Sequence, residues 1–268
     1  MTQRSKESPP APDIATGSPD RFGYSWDKFT ELSPVQEEQF NRWSSALPVE
    51  QWQDALFLDV GCGMGRNSVW ACKKGGKGGD AIDVDERSLA AAKQNLQDFA
   101  VDTHYMSAYE IEFKEKYDVA FSIGVIHHLE HPQKAIQQMV QAVKPGGKVL
   151  VWLYGRENNG WIVNIFNPVR KLVFSRLPLS VVNVFAWILT YTLSALLHLG
   201  WGKLPYHDIL RKTDMTHLKH IVLDHMIPQI ALYYTKEEAE DLLKQAGLGD
   251  VSSVWVNKMS WSVVGTKK

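Results

Sequence analysis

The chain has 268 residues with 29 basic and 30 acidic side chains, so its formal net charge is −1. This balance argues against the strongly basic face that nucleic-acid binding requires. Two cysteines without a CxxC spacing argue against a disulfide scaffold and a structural zinc site, so we expect a reducing, cytoplasmic environment and no bound metal.

The N-terminal part of the chain divides into a tail and a cover. Residues 1–20 are polar and rich in proline and serine, which predicts a disordered tail without a secretory signal. Residues 22–52 place aromatic side chains at helical spacing and predict one or two helices over the core. We expect this core to comprise residues 21–155 and 231–268.

Strand and helix signals alternate from residue 55 to residue 153. Apolar runs predict strands at 55–60, 80–84, 103–106, 117–123 and 148–153. Helices are predicted at 66–74, 88–99 and 132–143, and a capping box at residues 235–238 opens a last helix before two more strands. This order predicts an α/β fold with a Rossmann-like, seven-stranded, mostly parallel sheet that carries helices on both faces.

A glycine-rich turn follows the first predicted strand. Gly61, Gly63 and Gly65 stand where the backbone of such folds approaches a ligand closely. A dinucleotide fingerprint would place its third glycine at position 66, which Arg66 occupies, and this argues against a nicotinamide dehydrogenase. Asp59, just before the turn, suits a ligand that carries an ammonium and a sulfonium instead of a pyrophosphate.

A second acidic residue, Asp83, ends the next strand at about the interval expected of a carboxylate that binds ribose hydroxyls. Four motifs then follow one another in residues 56–153: LDVGCGMG, AIDVD, YDVAFSIGVIHHL and KPGGKVLV. Together they resemble the class I S-adenosylmethionine-dependent methyltransferases, especially the small-molecule enzymes typified by quinone biosynthesis.

The resemblance implies S-adenosylmethionine as the cofactor and gives roles to single residues. Asp59 and the Gly61 backbone would hold the methionine part, and Asp83 would bind the ribose. Val84 would pack on the adenine, and the Ile123 carbonyl would accept a hydrogen bond from the ammonium. The complete implied cofactor set is Tyr24, Trp26, Asp59, Gly61, Gly63, Gly65, Arg66, Asp83, Val84, Ser107, Ala108 and Ile123.

Some members of this set have a structural alternative. Tyr24 and Trp26 resemble an N-terminal cover of the cofactor, and sealing of the core is an equal alternative. Packing between helix and strand is an alternative for Gly65 and Arg66. Ser107 stands where many relatives have aspartate.

Methyl transfer from a sulfonium requires alignment and exclusion of water, and a base only if the acceptor loses a proton. His127 and His128 follow a strand at the edge of the sheet where ligands bind, and are the catalytic candidates. A hydrogen bond within the loop is the favoured interpretation for His127 and an equal alternative for His128. Candidates for binding the acceptor substrate after the next strand are Tyr154, Arg156 and Glu157, with a solvated charge pair as the alternative.

Residues 156–230 form a hydrophobic insertion, predicted to be helical, between the fifth strand and the last helix. It has no charged residue from 177 to 202. Three interpretations compete: a lid over a greasy acceptor, an interfacial element that contacts a membrane through residues 161–202, and a transmembrane helix. We favour a lid with interfacial contact over a full span.

His217, His220 and Asp224, with His225 beside them, fall at helical spacing in the insertion. They could form a metal site or supply a base to the acceptor pocket. A solvated polar face explains them more simply, because Met215, Leu218 and Val222 lie opposite.

The resulting hypothesis is methyl transfer to a small lipophilic acceptor, such as a quinone precursor, an isoprenoid, a lipid or a polyketide-like molecule. The alternatives are a membrane-associated scaffold that binds S-adenosylmethionine without catalysis, and donation of a group other than methyl.

Overall fold

The computed structural model describes residues 34–199 and 207–268. The predicted tail and the predicted cofactor contacts of Tyr24 and Trp26 lie outside these residues.

Seven strands form a single mixed sheet in the order β3-β2-β1-β4-β5-β7-β6. All pairs are parallel except those that involve β7, which runs antiparallel to both of its neighbours. This confirms the predicted Rossmann-like sheet. The strands are β1 Leu56–Val60, β2 Gly78–Asp83, β3 Val101–Tyr105, β4 Tyr117–Ile123, β5 Val143–Tyr154, β6 Leu248–Val256 and β7 Ser260–Lys267.

Helices cover both faces of the sheet. Neighbouring strand residues such as Phe57 and Leu58 point to opposite faces and join two different apolar layers, because side chains alternate along a strand. The helices of the described residues are α1 Pro34–Trp43, α2 Arg66–Lys73, α3 Glu86–Asn95, α4 Pro132–Ala142, α5 Asn167–Leu172, α6 Leu179–His198, α7 His207–Leu210, α8 Met215–Met226 and α9 Lys236–Lys244.

The capping box is confirmed, and a short segment after α4 adopts a conformation that the sequence did not predict. The predicted capping box opens α9, where the Thr235 hydroxyl accepts from the Glu238 amide and the Glu238 carboxylate accepts from the Thr235 amide. Residues 144–147, which lie between the predicted helix and the predicted strand, are part of β5, and the register against β4 shifts there. Gly146, in the left-handed region at φ +79°, allows that irregularity.

Helices α5 to α8 lie in the insertion between β5 and α9. By length and composition alone, α6 could cross a membrane, and only a small part of it is buried in the protein. Its buried residues Val182 and Ala186 pack against Leu223 and Met226 of α8.

Backbone hydrogen bonds fix the end of the insertion to the carboxyl edge of the sheet. Leu232 N donates to His127 O at 2.8 Å, and Tyr234 N donates to Tyr154 O at 2.9 Å. The same segment forms a parallel bridge between Gly155 and Tyr234. The insertion therefore returns directly over the edge where the predicted site lies.

Candidate functional site

One cavity of about 680 Å³ lies at the carboxyl ends of the parallel strands. Its floor comes from the loops after β1, β2 and β4, and its opposite wall comes from α6 and α8. Ligands of open α/β sheets bind at this edge. The glycine-rich turn and the hydrophobic insertion thus face one shared space.

The turn after β1 requires glycine at two positions for separate reasons. Gly61 has φ +76°, and a Cβ there would lie 2.5 Å from the side chain of Val125. Gly65 has φ +78° and is the N-cap of α2. Gly61 and Gly63 line the cavity, whereas Gly65 packs against α3 and does not.

Asp83 links the turn to the loop after β2 and lines the cavity. Its Oδ2 accepts from Gly63 N at 2.9 Å, and its Oδ1 accepts from Asp85 N at 3.0 Å. Burial raises the pKa of Asp83, against the lowering effect of these bonds. Each carboxylate oxygen can accept more than one hydrogen bond, so Asp83 can still bind ligand hydroxyls.

Asp59 lies beneath the turn and outside the cavity wall. It is 0% exposed, and its Oδ2 accepts from the Ser68 hydroxyl at 2.7 Å. Burial raises its pKa to about 7. Asp59 therefore supports the turn and the start of α2 from below, and its contact with the methionine part stays a prediction.

Four other residues of the predicted cofactor set line the cavity: Arg66, Val84, Ala108 and Ile123. Ser107 is buried and is not among the residues that line the cavity. Its hydroxyl accepts a hydrogen bond from Tyr109 N at 3.1 Å, so the side chain stabilises the loop after β3. Asp85 and Ser88 also line the cavity and were not predicted. In the sequence, Asp85 is recognisable only as the N-cap of α3, and that role does not by itself predict a place in the cavity.

The two histidines after β4 occupy different places. His128 lines the cavity, and its Nδ1 lies 2.7 Å from the carbonyl oxygen of Ile230. Since a carbonyl only accepts, Nδ1 carries the proton and Nε2 is the accepting nitrogen. Burial lowers the pKa of His128 to about 3. His127 is fully buried outside the cavity wall, with its ring 3.9 Å from that of Tyr154.

Of the three residues predicted to bind the acceptor, only Tyr154 lines the cavity. Arg156 forms an ion pair with Glu238 at 3.0 Å. Glu157 accepts from Trp261 Nε1 at 3.1 Å and from the backbone of α9. Arg156 and Glu157 therefore lie outside the cavity wall and connect the end of β5 to neighbouring elements, which agrees with the alternative of a charge pair for Arg156.

The polar face of α8 is turned toward the cavity, with His217 and His220 buried, and not toward bulk solvent as expected. His217, His220, Asp224 and His225 all line the cavity. Asp224 Oδ1 lies 3.6 Å from His220 Nε2 and accepts no hydrogen bond from a described residue. Burial raises the pKa of Asp224 to about 7, and the charge of Arg66 acts against this. In residues 34–199 and 207–268 no cluster has the composition of a metal site.

The rest of the wall is apolar. α6 contributes Leu189, Leu193 and Leu196, and the segment before α5 contributes Ile162 and Phe166. Apolar walls with a few convergent polar groups are typical of small-molecule sites. The apolar composition of the insertion predicted this wall, but it did not predict which side chains form it.

Comparison with known proteins shows which family this chain resembles. Residues 58–151 match the family model described as a methyltransferase domain. The ubiquinone biosynthesis O-methyltransferase of Pseudomonas entomophila is 27% identical over 144 residues, which cover 52% of this chain and 62% of the relative. A second ubiquinone biosynthesis O-methyltransferase, from Hydrogenovibrio crunogenus, is 28% identical to this chain, and the match covers 60% of the length of that relative. The chain thus spans about three fifths of these curated relatives.

A solved structure shares the fold. The Burkholderia thailandensis 1,6-didemethyltoxoflavin-N1-methyltransferase, with bound 1,6-didemethyltoxoflavin and S-adenosylhomocysteine, superposes with a TM-score of 0.58. The match is 13% identical in sequence and covers 99% of this chain and 93% of that one.

Proposed function

Because this chain belongs to the class I S-adenosylmethionine-dependent methyltransferases, we propose that it transfers the methyl group of that cofactor to a small, lipophilic acceptor. The observation that carries the proposal is the single cavity shared by the glycine-rich turn and the apolar insertion. We further propose that the acceptor enters from a membrane surface.

The cofactor half of the cavity fits a nucleoside with a charged amino-acid tail. Gly61 and Gly63 line the cavity without side chains, and the Asp83 carboxylate faces the cavity next to that turn. Val84 and Ala108 add apolar surface for a base. These residues would hold S-adenosylmethionine, with Asp83 on the ribose hydroxyls.

The acceptor half supports a lipophilic substrate. Leucines of α6 and the ring of Phe166 form an apolar part of the wall opposite the turn. An apolar body buried there gains about 25 cal/mol per Å² of surface removed from water. Closure by the same helices excludes the water that would otherwise compete with the acceptor.

Bound S-adenosylmethionine would supply a methyl group on a sulfonium: the acceptor's nucleophile would bond to the methyl carbon in line as the carbon–sulfur bond breaks and S-adenosylhomocysteine leaves. A hydroxyl acceptor must lose its proton in that step, and two cavity residues offer different help. Nε2 of His128 can accept a hydrogen bond, but with a pKa of about 3 the imidazole does not retain a transferred proton at neutral pH. Asp224, with a pKa of about 7, is matched to neutral pH and is the base we propose.

The outer face of α6 supports contact with a lipid bilayer. Val181, Val184, Phe185 and Ile188 recur at helical spacing and are each between 39% and 58% exposed. A continuous exposed apolar stripe marks an interaction surface. Residues 158–207 contain no acidic residue, and Arg170, Lys171, Arg176 and Lys203 give the segment a positive charge. An anionic membrane surface is complementary to both features.

The test of the proposed function measures release of S-adenosylhomocysteine from S-adenosylmethionine by the full chain. The acceptors are hydrophobic phenols, long-chain alcohols and long-chain amines, presented in phosphatidylglycerol vesicles. We expect turnover with phenols or alcohols and micromolar binding of S-adenosylhomocysteine by calorimetry. Binding without turnover on any acceptor would favour the non-catalytic scaffold, consumption of the cofactor without methylated product would favour transfer of another group, and failure to bind the cofactor at millimolar concentration would refute the proposal.

A further inference from the structure

Asn159 is a buried amide at the start of the insertion. It follows β5, precedes the helical segment that begins at residue 160, and is 2% exposed. Asn159 lines the cavity together with Ile162 and Phe166, which follow it at helical spacing. The part of the wall that this segment forms is therefore largely apolar, with one amide group at its start.

Two hydrogen bonds fix the orientation of the Asn159 side chain. Its Nδ2 donates to the Gly155 carbonyl oxygen at 2.6 Å and to the Met259 carbonyl oxygen at 2.8 Å. An amide nitrogen carries two protons, so both of them are used. The exchange of the oxygen and the nitrogen would place Oδ1 against two carbonyl oxygens, which only accept. These contacts therefore assign the nitrogen and the oxygen of the amide.

The amide oxygen of Asn159 is buried and accepts no hydrogen bond from a described residue. An asparagine that precedes a helix often accepts from a backbone amide of the first turn, and Asn159 makes no such contact with the described residues. A buried carbonyl oxygen without a donor is costly, and buried polar groups in proteins are almost always paired. The local structure thus explains the amide nitrogen of Asn159, and a ligand in the cavity can supply the donor for its oxygen.

The sheet places Asn159 on the side of the cavity that belongs to the acceptor. β4 separates β5 from β1 and from the glycine-rich turn. The loops after β1, β2 and β4 form the floor under the proposed cofactor, whereas Asn159 lies where the insertion begins. The ligand next to this amide is therefore the acceptor molecule.

We propose that Oδ1 of Asn159 accepts a hydrogen bond from a hydroxyl or N–H group of the acceptor and thereby selects acceptors that carry this group. The inference rests on the proposed function and narrows it. The reacting hydroxyl has one proton, which passes to the proposed base Asp224, so the same hydroxyl cannot also donate to Asn159. The acceptor therefore carries a second protic group besides the one that is methylated.

The test compares two probes that differ in one hydrogen-bond donor. 2-Octylpropane-1,3-diol and its monomethyl ether are titrated by calorimetry into the full chain saturated with S-adenosylhomocysteine. We expect wild type to bind the diol at least tenfold more tightly, because the ether leaves one buried acceptor atom without a donor. Asn159→Ala should remove that preference and retain the affinity for S-adenosylhomocysteine. The matched control is Asn164→Ala, because Asn164 is an exposed asparagine of the same helical segment, and it should keep the preference.

A second variant guards against a defect of folding. If Asn159→Ala does not bind S-adenosylhomocysteine, Asn159→Ser replaces it, since serine keeps one donor for the two carbonyl oxygens, and it should also lose the preference. Equal binding of the two probes by wild type, no binding of either probe, or a preference that survives in the variant overturns the inference. Loss of S-adenosylhomocysteine binding in both variants assigns Asn159 to the fold alone and also overturns it. Failure of wild type to bind S-adenosylhomocysteine counts against the proposed function instead.

Discussion

Replacement of Asp83 by asparagine tests the cofactor site with little change of shape. The carboxylate accepts from Gly63 N and Asp85 N, one on each oxygen, and the proposed ribose contacts use its remaining lone pairs. Asparagine keeps one accepting oxygen and turns the other into a donor. That donor faces one of the two backbone amides and can no longer accept from a ribose hydroxyl.

The size of the effect follows from these contacts. A hydrogen bond to a charged group is worth about 1.5–3 kcal/mol, and the neutral bond that survives is worth about 1 kcal/mol. Loss of one ribose bond and weakening of the other gives about 3 kcal/mol. This corresponds to roughly a hundredfold weaker binding. The backbone amide left without an acceptor also lowers the free energy of unfolding by about 1–3 kcal/mol.

The assay is calorimetric titration of S-adenosylhomocysteine into wild type and Asp83→Asn, with thermal unfolding of each protein measured without ligand. Asp102→Asn is the matched control, since Asp102 is an exposed carboxylate on β3, and it should bind as wild type does. An unchanged affinity in Asp83→Asn, with the protein folded, would refute the assignment of this carboxylate to the ribose.

Three further outcomes are expected. Burial raises the pKa of Asp59 to about 7, so the protonated carboxyl favours the folded state at low pH, and this stability is lost as the pH rises from about 4 to about 7. The unfolding free energy of Asp59→Asn should therefore exceed that of wild type by on the order of 4 kcal/mol at pH 8 and equal it near pH 4. Equal stabilities of the two proteins in denaturant titrations at pH 8 would contradict this. Asp224→Asn should lower kcat for a hydroxyl acceptor by about 10²–10⁴-fold and leave the cofactor affinity unchanged. The rate of wild type should fall below pH 7 as Asp224 becomes protonated, and that fall should be absent in the variant. An unaltered pH profile would show that Asp224 is not the base. Ile188→Gln should weaken sedimentation with phosphatidylglycerol vesicles about tenfold, whereas Val254→Gln, which alters an exposed apolar residue of β6, should not; dimerisation without vesicle binding would assign the stripe to a second copy of the chain.

The sheet was predictable because its signals are local. Apolar runs that end at glycine or aspartate mark strands buried on both faces, and Gly61 and Asp83 fall at the ends of β1 and β2. The irregular part of β5 was not predictable in the same way. Pro145 and Gly146 are typical of a turn, and only the pairing with β4 reveals that the strand continues through them.

The depth of a side chain within the site was harder to predict than its neighbourhood. Asp59, Asp83 and Ser107 all fall near the cofactor edge, as expected, but only Asp83 faces the cavity. Hydrogen bonds to Ser68 and to the Tyr109 amide direct the other two away from it. Such bonds depend on tertiary packing, and the spacing of motifs does not encode them.

In the insertion, the usual rule that polar faces meet water gives the wrong orientation repeatedly. Asp224 and Arg170 turn inward, and Ile188 and Leu172 turn outward. An isolated exception would be a local accident of packing. The exposed apolar stripe of α6 and the polar groups of α8 at the cavity occur together, and this combination supports the proposal of a polar ligand group inside and of a membrane at the outer face. Side chains that depart from the amphipathic rule therefore support the proposed acceptor with a protic group, and the proposed contact of the outer face with an apolar medium.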